Sequence, residues 1–332
     1  MRTAYVELHL HLDGSLYLPW AYAKAQERKT IPAEMTFEQY YQRMSITEED
    51  LKDLEKAFLK FDYPIEIMQT KEDLHDALYY LVKQLDKRGL IYAEIRFASQ
   101  LHCLGGLSQD EVCAAVCEGV KSCDRDFPNI KIGIINCLMH RGPDANFNMK
   151  ENMECVEVTK KYLGKGIVGI DLAGFENNGD YMLYEPCIRK AKEYGIPVTM
   201  HAGEMGDGSH VKMAIEMGAN RIGHGINCID NPEWLKMVVD TQIPLEVCVS
   251  SNIGHGRDYA SHPVRKLIEA GVKVTLNSDN MMFSKTDIIN EHHQLSSIGV
   301  SDETLMQCTI NAIEASFADE ETKKMLLKKL GR

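Results

Sequence analysis

Short apolar, β-branched runs alternate along this chain with longer stretches in which apolar residues recur every three or four positions. The first pattern reads as strands buried on both faces, the second as amphipathic helices. Strand runs fall at 5–11, 91–98, 131–138, 167–172, 196–201, 221–224, 244–249 and 272–277. Before the second strand, helical patterns occupy 20–28, 36–43, 48–61 and 71–88. The last of these places Leu74, Leu78, Leu81 and Leu85 on one face and stops at Gly89. Further helices are predicted at 108–126, with Ser108 as N-cap, and near 149–162, 184–194, 211–217, 232–240 and 263–270. From about 285 to 330 the pattern stays helical and ends in a lysine-rich turn, read as a solvated face.

Eight strands, each followed by helix, predict an α/β fold: a (β/α)8 barrel of the TIM type, with residues 1–332 as one domain. The outlier is a helical insertion of about 80 residues after the first strand, roughly 15–88. Long inserts at the catalytic end of a barrel commonly form lids. No low-complexity linker or internal repeat divides the chain.

Chemistry stands at the ends of the predicted strands. Strand one ends His9-Leu10-His11-Leu12-Asp13, and residues two apart in an extended segment point the same way, so both imidazoles face one point. Strand five ends in His201-Ala202-Gly203-Glu204, which offers a ring nitrogen and, past a glycine, a carboxyl placed to carry protons. Strand six ends Gly223-His224-Gly225, its glycines allowing a ligand close approach, and strand eight ends Asn277-Ser278-Asp279-Asn280. All lie at the carboxyl ends, where barrels build their sites. Each motif alone has a bland explanation as a polar turn, a packed histidine or a helix cap. Four at the same end of one barrel point to a metal site of nitrogen and oxygen donors suited to zinc. His102, His140, His255, His262, His292 and His293 have no comparable setting and read as structural or surface residues.

Composition narrows the partners. The 332 residues carry 37 basic and 49 acidic side chains, a net charge of −12, with no lysine or arginine cluster. That speaks against a grip on nucleic acid or anionic membrane, while leaving an uncharged purine or nucleoside open. No run approaches the ~18 apolar residues of a membrane span, and the first residues hold no secretory pattern. Ten cysteines lack paired spacing, and several (Cys137, Cys228, Cys248) sit in apolar stretches. These features predict a cytoplasmic chain with reduced, mostly buried thiols. Cys113 and Cys117 are explained by facing along a helix.

The ordered motifs carry a family resemblance. Val-Glu-Leu-His-Leu-His-Leu-Asp-Gly-Ser at 6–15, Tyr-Ala-Glu-Ile-Arg-Phe at 92–97, Gly-Ile-Asp-Leu-Ala-Gly at 169–174, His-Ala-Gly-Glu at 201–204, Arg-Ile-Gly-His-Gly at 221–225, Glu-Val-Cys at 246–248 and Leu-Asn-Ser-Asp-Asn at 276–280 closely resemble the adenosine deaminase family of metal-dependent barrel hydrolases. The resemblance implies hydrolytic deamination of adenosine, an activity of purine salvage, with one zinc ion held by His9, His11, His201 and Asp279. It makes Glu204 the proton donor to purine N1, and gives His224 and Asp279 catalytic roles, His224 orienting and activating the zinc-bound water. It also places the Gly174 N–H on purine N3, Asp13 near the ribose 5′-hydroxyl and His11 beside the substrate. Asn280 departs from the second aspartate of familiar members. That residue is thought to bond purine N7, and an amide can donate to N7 without carrying an acidic proton.

Alternatives within the superfamily are deamination of adenine, of AMP, or of a modified adenosine such as 5′-methylthioadenosine. A carboxylate at Asp13 repels a 5′-phosphate and disfavours AMP. Strand four ends Asp171-Leu-Ala-Gly174 without the lysine of two-metal relatives, and Pro186-Cys187 lacks the second cysteine of the other zinc deaminase class. A non-enzymatic alternative is a nucleoside-binding or signalling barrel with a retained metal site.

Overall fold

In the computed structural model of the chain, residues 4–47, 49–50, 57, 59–140, 148–176, 181–253 and 258–332 are described. Eight parallel strands follow one another round a barrel in chain order. They are β1 Tyr5–His11, β2 Leu90–Phe97, β3 Lys131–His140, β4 Ile167–Gly174, β5 Val198–Ala202, β6 Arg221–His224, β7 Leu245–Val247 and β8 Val274–Leu276. The ring closes through Asp279, whose N–H donates to His9 O at 2.9 Å and whose carbonyl accepts from His11 N at 2.8 Å. The predicted (β/α)8 barrel is the observed fold.

Strand lengths differ from expectation at two points, for local reasons. β7 and β8 have three residues each, although the apolar pattern continues further. After Val247 the chain turns into the short helix Val249–Asn252. After Leu276 the Asn277 side chain takes over the ladder, its Oδ1 accepting from Leu8 N at 2.7 Å and His9 N at 3.1 Å. β3 instead runs on to His140, which pairs with Gly174.

The expected helices surround the barrel. Leu74, Leu78, Leu81 and Leu85 are all buried along the helix Lys71–Lys87, as their spacing predicts. Each such leucine contributes about 1.5–3 kcal/mol of burial and fastens the insertion to the barrel wall. Ser108 caps the helix Gln109–Asp126 through Glu111 N, and Glu111 reciprocates. The predicted helix at 48–61 lies largely outside the described residues. Its end is the 3-10 turn Leu59–Phe61, followed by the helix Asp62–Glu66. Three helices, Ile288–Ser297, Asp302–Ala315 and Glu320–Lys329, complete the chain. All ten cysteines are free, and nine are buried. Among the described residues, no helix is long and apolar enough to cross a membrane.

Candidate active site

The parity of β1 is broken between Glu7 and Leu10, where three β1 residues span two of β2. Such a bulge re-aims side chains. His9 and His11 emerge from it with ring centroids 5.4 Å apart, and His201 comes from β5 with centroids 4.6 Å from His9 and 5.2 Å from His11. Nε2 of His11 lies 3.2 Å from Nε2 of His201 and 3.3 Å from Oδ1 of Asp279, and Nε2 of His9 lies 3.5 Å from the same oxygen. Donors about 2.0–2.2 Å from a shared tetrahedral centre stand roughly 3.3–3.6 Å apart, and these three separations are about that size. His9, His11 and His201 bring ligand atoms within 4.8 Å of one another, as do His9 and Asp279 together with His224 and Cys248. Nε2 of His9 and Oδ1 of Asp279 are buried with no hydrogen-bond partner among the described residues, as unclaimed ligand atoms would be.

Behind the imidazoles lies a buried network of charges. Glu246 Oε2 is hydrogen-bonded to His9 Nδ1 at 2.8 Å, which fixes that ring's orientation, and Asp171 Oδ2 lies 2.9 Å from His201 Nδ1. Arg96 spans both acids, at 2.8 Å to Asp171 and 2.7 Å to Glu246. Arg221 joins Glu246 at 2.6 Å to Glu94 at 2.5 Å. All five side chains are at most 1% exposed. Four acids, Glu94, Asp171, Glu246 and Asp279, stand with two guanidiniums round the histidines. A divalent cation at the histidines suits both the nitrogen and oxygen donors and this acid-rich surround.

Cys248 approaches the same point, within 4.8 Å of ligand atoms of His9, His224 and Asp279. Burial, then Asp279, push its thiol well above the usual range.

His224 and Asp279 sit at φ 61° and 59°, a region costly for side chains other than glycine and often occupied at functional sites. Asn252 Nδ2 lies 3.2 Å from His224 Nδ1. An amide nitrogen only donates, so Nδ1 accepts and the neutral ring carries its proton on Nε2, 3.5 Å from Glu204 Oε2. Burial, then His9, hold His224 well below its usual pKa. Glu204 is pushed well above the carboxylate range by burial, then by Asp279 and Glu176. Asp279 moves the other way: burial raises it, but the imidazoles of His9, His11 and His224 outweigh burial and hold it well below. Ser251 Oγ donates to its other oxygen at 2.6 Å.

These groups open onto a cavity of about 410 Å³, within the size range of small-molecule sites. His11, Asp13, Gly174, His201, Glu204, His224, Asp279 and Asn280 all line it, and His9 is buried behind them. Ile46, Leu59, Phe61 and Ile65 of the insertion line it too. At Gly174, φ is 113° and a Cβ would lie 2.5 Å from His140 O, so only glycine fits. Gly14 leaves the space that the Asn280 amide fills. Burial raises Asp13 to about 7.

The structure thus brings His11, Asp13, Gly174, His201, Glu204, His224, Asp279 and Asn280 to one cavity, with His9 directly behind it. Two details differ from the sequence reading. Gly223 makes room for the His9 ring, whose Cε1 would stand 3.0 Å from an added Cβ, rather than for a ligand. His140 lines the cavity and packs edge-on against Tyr184, while His102 and His262 are buried away from it, and His255 lies outside the described residues. Sequence reasoning missed Glu94, Arg96, Arg221, Glu246 and Asp171 as supports of the histidines. Their signal was a charge in an otherwise apolar strand, inside it for Glu94, Arg96, Asp171 and Glu246 and at its first residue for Arg221. It also missed Glu176, in the loop after β4, and Ser251 and Asn252, which act from the short helix Val249–Asn252.

The sequence profile of the adenosine deaminase family matches residues 5–332. The adenosine deaminase of Haemophilus ducreyi is 36% identical over 328 residues, covering 97% of this chain and 94% of the relative. That of Clostridium botulinum (strain Okra) is 36% identical over 325 residues, covering 97% and 95%. Among solved structures, the adenine deaminase of Arthrobacter aurescens superposes with a TM-score of 0.86 at 25% identity, covering 98% of each chain. With family profile, near full-length relatives and barrel in agreement, the chain belongs to the adenosine deaminase family.

Proposed function

We propose that the chain hydrolyses adenosine, and 2′-deoxyadenosine, to the 6-oxo purine nucleoside and ammonia, using one zinc ion. It does so in the cytoplasm as a single domain whose insertion at about 15–88 covers the site. The observation that carries this reading is the pairing of a cation-sized donor set with a buried carboxyl, Glu204, at one end of a nucleoside-sized cavity.

His9, His11, His201 and Asp279 hold the ion. A bound zinc ion lowers the pKa of a coordinated water to about 7 and so supplies a nucleophile at neutral pH. The remaining work falls to the chain. Attack at C6 drives negative charge into the purine unless N1 gains a proton, and Glu204, held protonated, delivers it. His224, held neutral with its proton on Nε2, orients the attacking water and polarises it. Asp279 stays anionic and accepts the water's proton. Gly174 donates its N–H to N3, the Asn280 amide donates to N7, Asp13 bonds the ribose 5′-hydroxyl, and the His11 ring borders the substrate. The apolar residues of the insertion exclude bulk water, which strengthens each of these interactions.

A second reading, deamination of free adenine, is favoured by the likeness to the Arthrobacter enzyme, an adenine deaminase. A panel of adenosine, 2′-deoxyadenosine, adenine, AMP and 5′-methylthioadenosine, followed by the absorbance change on conversion to the 6-oxo purine, tests both. Adenosine should have the highest kcat/KM. A preference for adenine would replace the first reading with the second, and no turnover of any of them would leave a binding protein.

A further inference from the structure

Glu176 follows β4 by two residues and is 2% exposed. Its carboxylate gathers four consecutive backbone N–H groups. Gly203 donates to Oε1 at 2.5 Å, Glu204 and Met205 donate to Oε2 at 2.9 Å each, and Gly206 donates to Oε2 at 3.3 Å. His210, in the first turn of the helix Ser209–Met217, adds Nδ1 at 2.8 Å from Oε1. From the other side, Asn227 donates its amide to Glu204 O at 3.1 Å and to Gly206 O at 2.7 Å. The peptide groups flanking Glu204 are therefore held by their N–H groups and by their carbonyls at once.

A run of N–H groups converging on one anion forms a nest, and each would cost free energy if buried unpaired. Burial raises Glu176, but His210 and the N–H groups of Met205 and Gly203 outweigh burial and hold it at about 2, a fixed charge at neutral pH. Glu204 lies within that run. Its own carboxyl must reach one ring atom of a substrate, and a misplacement of about 1 Å at such a group costs about 100-fold in rate.

We propose that Glu176 is a positioning residue, clamping the 203–206 turn so that the Glu204 carboxyl is aimed into the cavity. The proposal rests on the reading of Glu204 as proton donor. In Glu176→Gln, the amide would turn donors toward the donors of Glu204, Met205 and Gly206. In Glu176→Asp the charge remains but is withdrawn by about 1.5 Å, one carbon–carbon bond.

The test measures kcat, KM for adenosine and bound metal in both variants, with Glu204→Gln alongside. Glu176→Gln should lose about 100-fold in kcat, and Glu176→Asp about 10-fold, with KM and metal content close to wild type. That split, and the partial rescue by aspartate, is what a merely structural role would not produce. Wild-type kcat in either variant overturns the proposal. So does a fall in kcat matched by an equal loss of metal, or a rise in KM with kcat held. Should the glutamine variant not fold, the aspartate variant decides alone by the same criteria. An active Glu204→Gln would overturn the proton-donor reading itself, whereas an inactive Glu204→Gln beside fully active Glu176 variants would overturn only the clamp.

Discussion

Glu204 and Asp279 are carboxyls in one cavity wall, driven to opposite charge states by what faces them. Asp279 is ringed by imidazoles and stays an anion, while burial and two neighbouring acids keep the proton on Glu204. Glu204→Gln keeps shape and neutrality but has no transferable proton. It should bind metal as wild type does and lose about 10²–10⁴-fold in turnover, checked by metal content and initial rate. A near wild-type rate removes Glu204 from the reaction. Glu7 offers a prediction about stability instead. Burial raises it from 4.5 to about 7, although Ser278 donates its N–H to the carboxylate. The folded chain thus binds a proton that the unfolded chain releases between those values, so stability falls as pH rises from 4.5 through 7. The shift corresponds to about 3 kcal/mol. Glu7→Gln, always neutral, should raise Tm at pH 8 by clearly more than at pH 4.5. Equal shifts at both pH values would mean that Glu7 does not titrate this way.

At the scale of elements, β2, β4 and β7 carry charge inside the strand and β6 opens on one, Arg221, and the pairs are mutual. Removing one partner leaves the others buried and unpaired. Arg221→Leu should therefore destabilise by about 3–5 kcal/mol, read as a fall in the urea midpoint with an unchanged slope. A change within about 0.5 kcal/mol would mean that the network is slack. This network also marks where the sequence stopped being legible. His9, His11, His201, His224 and Asp279 could be found because each breaks an apolar run at its carboxyl end, where a barrel puts its site. Glu94, Arg96, Asp171, Arg221 and Glu246 were visible as letters, but their partners come from different strands, and only the closed ring brings them together. Glu176, Ser251 and Asn252 carried no local signal, because their partners, the 203–206 backbone, Asp279 and His224, lie far from them along the chain. The ends of β7 and β8 were over-read for a related reason: Cys248 and Val249 are as apolar as a strand, yet they lead into the turn that delivers Ser251 to Asp279.

For the whole molecule, the consequence lies in where the ring is joined. β8 is three residues long, and its backbone bonds to β1 run through Asp279 to His9 and His11. Three of the four proposed metal ligands, His9, His11 and Asp279, therefore sit on that seam, and the fourth, His201, comes from β5 across the barrel. An ion there ties β1, β5 and β8 together beside a cluster of buried acids. Free zinc at 100 times its dissociation constant stabilises the fold by about 2.7 kcal/mol through linkage alone. Chelation should lower Tm by several degrees, and zinc should restore it. The loss should be local before it is global: amide exchange at His11 and Asp279 should quicken first, while β3 and β4, paired along their length to Gly174, stay protected. A metal-free protein with unchanged Tm and unchanged exchange at those two amides would show that the donors are not joined through a cation. Uniform loss of protection would show that the metal supports the whole barrel rather than its seam.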